Sequence, residues 1–153
     1  MMTAKSLFTI GYEKTTPAAV LGELKRAKVK LLVDTRAVAA SRRPGFSKRQ
    51  LAAALDEQGI AYVHLQKLGT PAAGREAARS GDLDTLWRVY GEHIKTAAAQ
   101  DALDELIALI KSGARVCLLC YCRDPKACHR SSIVAAVKKR MRIKVEDLIP
   151  PLF

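Results

Sequence analysis

Aromatic side chains are scarce: they make up 5% of the 153 residues, and Trp87 is the single tryptophan. That speaks against a platform on which successive unpaired bases stack. Long apolar runs are absent too, and no stretch approaches the roughly 18–20 residues of a membrane-spanning helix. The start, Met1 to Ile10, has one lysine and a short apolar stretch but no signal-peptide core or cleavage site. The expectation is a cytoplasmic protein with no membrane partner. Cysteine is limited to four residues, all between Cys117 and Cys128. A disulfide framework would spread them along the chain, so these read as free thiols, metal ligands or reactive groups. Acidic residues are also in deficit, 15 against 26 lysines and arginines, which leaves a net charge of +11. Such a balance favours an anionic partner, either a phosphate-bearing small molecule or a nucleic acid.

What is present is ordinary globular composition, 49% hydrophobic and 27% charged, in a length suited to a single domain over residues 1–153. The charge is segregated. Residues 1–50 hold eleven bases and three acids, residues 51–112 six and nine, and residues 113–153 nine and three. The excess lies in the two terminal thirds, which would form one basic face if the fold brought them together.

Hydrophobic periodicity gives the organisation. Ser6 to Ile10 reads as a strand. Thr16-Pro17 reads as the start of a helix that carries Val20, Leu21, Leu24 and Ala27. Leu31 to Val33 is a buried strand. Ser47 caps a second helix with Leu51, Ala54 and Leu55, and Ile60 to Leu65 is a third strand. Residues 69–81, with Pro71, Gly74 and Gly81, read as a loop or lid with room for a short helix. Helices are expected over Leu83 to Ala98, around Leu103 to Ile110, and over His129 to Arg140. Strands are expected over Arg115 to Tyr121 and Lys144 to Ile149. The alternation predicts a three-layer α/β sandwich, with a mostly parallel central sheet and helices on both faces. In such a sheet ligands gather beyond the carboxyl ends of the strands.

Two segments expected there carry the unusual polar residues. In the first, Asp34 closes an apolar strand, where a carboxylate needs a partner or a solvated cleft. Arg36, Arg42 and Arg43 supply forks that fit phosphate. An internal ion pair of Asp34 with Arg36 or Arg42 is the plainer alternative. The second segment, Cys120-Tyr121-Cys122-Arg123-Asp124-Pro125-Lys126-Ala127-Cys128-His129-Arg130, is a strand end, a bent loop and a helix start. A helix N-terminus there would attract an anion, Arg130 would clamp it, and Cys128 would become more nucleophilic. His129 supplies acid–base chemistry. Zinc is the competing occupant, because Cys120, Cys122, Cys128 and His129 form a ligand set it accepts. Their C-x-C-x5-C-H spacing is not the usual paired knuckle. The cysteine-to-arginine spacing of a phosphatase or sulfurtransferase loop fails from both Cys120 and Cys122.

Several motifs occur in order along nearly the whole chain. They are Thr9-Ile10-Gly11-Tyr12-Glu13, Val33-Asp34-Thr35-Arg36, Ser41-Arg42-Arg43-Pro44-Gly45-Phe46-Ser47, Tyr62-Val63-His64-Leu65 with Leu68-Gly69-Thr70, and the segment ending Cys128-His129-Arg130. In combination the chain resembles the domain-of-unknown-function 488 family. The resemblance implies an α/β fold with a shared pocket, and it carries over Asp34, Arg36, Ser41, Arg42, Phe46, Cys120, Cys128, His129 and Arg130. The chain departs from the family pattern at Tyr12, where members often have histidine, in the proline-free stretch Val38 to Ala40, and at Cys122, where members have an acidic residue. The expected division of labour puts Asp34, Cys120, Cys128 and His129 in catalysis, and Arg36, Ser41, Arg42, Phe46 and Arg130 in ligand binding. No cofactor is expected other than zinc as the alternative. A non-catalytic nucleic-acid-binding module remains the rival to an enzyme.

Overall fold

Alternate residues of each inner strand belong to two separate apolar clusters, which is what a sheet covered on both faces requires. In the computed structural model, residues 4–152 are described. The strands are β1 (Lys5–Gly11), β2 (Leu31–Asp34), β3 (Ala61–His64), β4 (Val116–Cys120) and β5 (Ile143–Leu148). Leu7, Leu31, Val33, Val116 and Leu118 face one side, and Phe8, Ile10, Leu32, Cys117 and Leu119 face the other. All five strands are parallel, in the order β3-β2-β4-β1-β5.

Two helices, α1 (Pro17–Arg26) and α2 (Lys48–Glu57), cover the Phe8 face through Val20, Leu24, Leu51 and Leu55. The opposite face is covered by α4 (Leu83–His93), α5 (Ala97–Lys111) and α6 (His129–Lys138), through Tyr90, Leu103, Leu106, Ile107, Ile110, Ile133 and Val137. The expected three-layer α/β sandwich is therefore present. Among the described residues no helix is long and apolar enough to cross a membrane.

Three local expectations change. Residues 69–81 carry a nine-residue helix, α3 (Ala72–Ser80), which packs on α4 with Gly74 close to Val89 and Leu86. The helix expected over Leu83 to Ala98 stops at His93, because Thr96 caps a new one by accepting from the Ala99 N–H. Ser47 occupies the N-cap position of α2 without capping it. Its hydroxyl bonds to the backbone of Ser41 instead, accepting from the N–H (3.0 Å) and donating to the C=O (3.1 Å).

The topology positions the site. β4 lies between β1 and β2, whose following helices α1 and α2 are on one face, whereas α6 follows β4 on the other. The loops leave adjacent strands in opposite directions and open a crevice at the carboxyl end of β4.

Candidate functional site

The β2 end is closed by an ion pair. Arg36 donates from Nε to Asp34 Oδ1 (2.9 Å) and from Nη2 to Oδ2 (2.7 Å), and its backbone N–H also reaches Oδ1 (3.0 Å). Its Nη1 donates to the Phe46 carbonyl (2.7 Å) and the Tyr12 hydroxyl (3.2 Å). The Tyr62 hydroxyl donates to Asp34 Oδ2 (2.5 Å). Both charged side chains are buried. Burial would lower the Arg36 guanidinium's affinity for its proton, but the hydrogen bond and charge of Asp34 raise it above its ordinary value. Burial and the bond to Asp34 likewise push the Tyr62 hydroxyl up. The plainer alternative, an Asp34–Arg36 pair, is thus what the structure contains, and the Arg36 fork is turned on Asp34.

Three of the other expected ligand-binding residues lie away from the crevice. Ser41 is bonded to Ser47 and, through its Oγ, to the Arg43 N–H. Phe46 is fully buried and stacks on Tyr12 with ring centroids 4.4 Å apart. Arg42 is exposed and does not line the crevice. The neighbouring Arg43 donates to the carbonyls of Tyr12 (2.6 Å) and Thr15, tying this loop to the β1 end.

The β4 end and the start of α6 bring the thiols together. Cys120 Sγ and Cys128 Sγ are 2.6 Å apart, and the sulfurs of Cys120, Cys122 and Cys128 all lie within 4.8 Å of one another. This requires the 121–124 segment to fold tightly over β1. Gly11 permits it, since a Cβ there would stand 1.8 Å from the Cys122 carbonyl oxygen. Cys117 points into the core on the other face of the sheet, where burial pushes its thiol up.

His129 Nε2 lies 3.0 Å from the Thr35 carbonyl and 3.2 Å from the Thr35 hydroxyl, which itself donates to the Leu119 carbonyl. A carbonyl only accepts, so Nε2 carries the hydrogen. That leaves Nδ1 as the lone-pair nitrogen of the neutral ring, 3.6 Å from Cys128 Sγ. A thiol, a base and a group that orients the base thus stand in line. Burial alone would raise the Cys128 thiol, but hydrogen bonds from Cys120 and Cys122, and from His129 once its Nδ1 holds the proton, bring it well below the ordinary thiol value. Burial holds the Cys120 thiol well above it.

Arg130 lies beneath this pair rather than in the crevice. It is fully buried, with Nη1 on Thr9 Oγ1 (3.2 Å) and Nη2 on the Cys122 carbonyl (2.7 Å). Thr9 Oγ1 donates onward to Asp147 (2.5 Å). Among the described residues no carboxylate forms an ion pair with Arg130, and its Nε has no partner. Burial lowers its affinity for the proton, and the neighbouring Cys120 and Cys128 sulfurs more than restore it. A buried cation costs several kcal/mol unless compensated, and a Cys128 thiolate is the compensating charge at hand.

The crevice itself has a volume of about 670 Å³. Its floor is Cys120, Cys122, Cys128 and His129. One wall is α3 and α4, with Arg75, Arg79 and Leu86, and the rim carries the exposed Val38 and Tyr121. The acidic residues at its edge are committed to loop backbone: Glu13 accepts from the Arg123 N–H and Asp124 from the Lys126 N–H. Sequence reasoning missed Thr35, Thr9, Arg75 and Arg79. Thr9 left a signal, as a polar residue inside an apolar strand. Arg75 and Arg79 left none, since the bounds and facing of a short helix within residues 69–81 were not legible.

The fit of a metal can be tested on the sulfurs. A tetrahedral zinc–thiolate centre puts its sulfurs about 3.8 Å apart, wider than the 2.6 Å between Cys120 and Cys128. His129 is not within the three-sulfur group, although its Nδ1 lies 3.6 Å from Cys128 Sγ. The four-ligand set expected as the alternative is therefore reduced to three sulfurs.

No curated protein matches the chain. A family pattern does, over residues 16–137, a span that begins at the cap of α1 and ends within α6. That span includes β2, β4, the three clustered cysteines and the Asp34–Arg36 pair, and on this match the chain belongs to the family described as domain of unknown function DUF488.

Proposed function

We propose that the protein is a thiol-dependent enzyme acting on a phosphate-bearing small molecule, with Cys128 as nucleophile and His129 as the group that takes its proton. The observation that carries this reading is the position of Cys128. Its sulfur is at the floor of the crevice, at the N-cap of α6, 3.6 Å from a histidine nitrogen whose ring is fixed by Thr35. The first N–H groups of a helix lack intrahelical partners and face whatever lies at its start, which favours an anion there. Arg75 and Arg79 on the facing wall add positive charge at the entrance. Asp34 serves by fixing the β2 loop that holds Thr35; Arg36, held by Asp34, also lines the crevice and adds positive charge there.

The test is protection. Adding AMP or inorganic phosphate should slow alkylation of Cys128 by iodoacetamide, with the residue identified by peptide mass. Alkylation unchanged at saturating concentrations of both would remove the phosphate reading.

Two other readings draw on specific observations. The clustering of three sulfurs is the one observation on the side of zinc; a tetrahedral centre would need Cys120 and Cys128 to part from 2.6 Å to about 3.8 Å, and elemental analysis of the purified protein would then detect one equivalent per chain. The basic run Lys138, Lys139, Arg142 and Lys144 favours nucleic acid. It runs from the last residue of α6 to the second of β5, at the amino end of the sheet, opposite the crevice. Binding there would weaken steeply with salt and leave Cys128 alkylation unaffected.

A further inference from the structure

The juxtaposition of Cys120 and Cys128 on the floor of the crevice points to a second activity: thiol–disulfide exchange with a low-molecular-weight disulfide. This rests on the reactive Cys128 of the reading above, but not on its phosphate ligand. The two sulfurs come from different elements, the last residue of β4 and the residue before α6, and are 2.6 Å apart. A disulfide bond is about 2.05 Å long, so about 0.5 Å of approach would join them. They are also unequal partners. Both line the crevice, but only Cys128 has His129 beside it. Cys120 has no histidine contact and donates towards the Cys122 carbonyl. The geometry assigns attack to Cys128 and resolution to Cys120.

The chemistry balances with no external group. The Cys128 thiolate attacks one sulfur of R–S–S–R. The S–S bond breaks, and one RS⁻ leaves and takes up the proton that Cys128 gave to His129. The product is a mixed disulfide between Cys128 and R. Cys120 then loses its proton and attacks Cys128 Sγ, expelling the second RS⁻, which takes up that proton. Two protein thiols are oxidised by two electrons, and the substrate disulfide is reduced to two RSH. The same steps in reverse, with two equivalents of RSH, restore the dithiol.

Size selects the substrate. Cys120 and Cys128 are each only 1% exposed, and the route to them is the crevice. A disulfide inside a folded protein cannot be brought to that floor, whereas a small organic disulfide can.

The experiment treats the reduced full-length protein with 2-hydroxyethyl disulfide, quenches with iodoacetamide and maps the peptides by mass. This probe is uncharged, so its reaction is independent of anion binding. Wild type should lose two alkylatable thiols together and yield a Cys120–Cys128 crosslink with little mixed adduct. Cys120→Ser should accumulate the mixed adduct on Cys128, with a lifetime longer by about tenfold or more. Cys128→Ser should form neither. A stable mixed adduct on Cys128 of the wild type, with Cys120 still alkylatable, would overturn the dithiol and leave the nucleophile intact. A Cys122–Cys128 crosslink would overturn Cys120 as the resolving residue. Because the wild-type crosslink map is decisive, failure of a variant to fold does not protect the proposal. Alkylation of wild-type Cys128 by iodoacetamide alone, measured in parallel, shows whether the shared premise of a reactive Cys128 has failed.

Discussion

Arg36 reaches back two residues and closes its guanidinium on Asp34, with both side chains buried and the Tyr62 hydroxyl on the same carboxylate. Removing one member leaves the other as an uncompensated buried charge. Asp34→Ala should lower unfolding free energy by about 3–5 kcal/mol. Tyr62→Phe should cost about 1–2 kcal/mol, since it removes one hydrogen bond to a charged group. Urea denaturation followed by circular dichroism measures both. A neutral result for Asp34→Ala would mean that the carboxylate is not holding the β2 loop.

The Cys128 thiol, held low by Cys120, Cys122 and His129, should react with iodoacetamide at neutral pH at a large fraction of its maximal rate. An ordinary thiol, titrating near about 8.5, would lag well behind there. The same shift couples to folding. Because Cys128 releases its proton more readily when folded, it stabilises the fold at pH above the ordinary thiol value. That contribution fades as pH falls through the lowered one. Cys120 acts in the opposite sense, contributing below the ordinary value and losing that contribution as pH rises through its raised one. Alkylation rates between pH ~5 and ~9 read the first effect directly.

Arg130 links the core to that thiol. Arg130→Met replaces a buried cation by an apolar chain of similar length, a change that often leaves stability intact. The midpoint of the alkylation–pH profile should then rise by about one unit or more, as the thiolate loses its counter-charge. An unmoved midpoint in a folded variant would assign the low value to His129 and the neighbouring thiols alone.

Gly11 offers a steric test. A methyl group there would overlap the Cys122 carbonyl, which has no flexible side chain to move aside. Gly11→Ala should cost about 1–3 kcal/mol or more and should displace Cys122 and Arg123. Cys128 alkylation should change along with stability, because the displaced loop carries the carbonyl that accepts from Arg130. Gly22→Ala, at a helix position where an added Cβ meets nothing within 4 Å, is the matched control.

The layers and most strands were legible because apolar runs such as Leu31 to Val33 and Val116 to Leu119 need two covered faces, and their lengths allow little else. Helix α3 was legible only as room for a short helix within an expected loop or lid. Pro71, Gly74 and Gly81 look like punctuation in sequence, yet Pro71 precedes the helix, Gly81 terminates it at φ 80°, and Gly74 is where a Cβ would stand 2.5 Å from the Thr70 methyl group. The convergence of Cys120, Cys128 and His129 was readable from the strand–loop–helix order. The fate of individual charges was not, since sequence does not show whether an arginine fork turns outward to a ligand, as was expected of Arg36, or inward to its own loop. Phe46 and Ser41 illustrate the same limit: each holds the loop together, and a residue that does so carries the same letter as one that grips a substrate.

The central strand β4 is contributed by residues 116–120 but separates β1 from β2, both encoded in the first 34 positions. During synthesis the first two strands emerge with no direct pairing to each other, and β2 finds only β3. The sheet can join only after more than a hundred residues have been made, when the late strand slots between the early ones. Such long-range closure slows folding, and until it happens the apolar edges of β1 and β2 stand open to other chains. The last-made inner strand is therefore both the floor of the crevice and the piece on which safe assembly of the sheet depends.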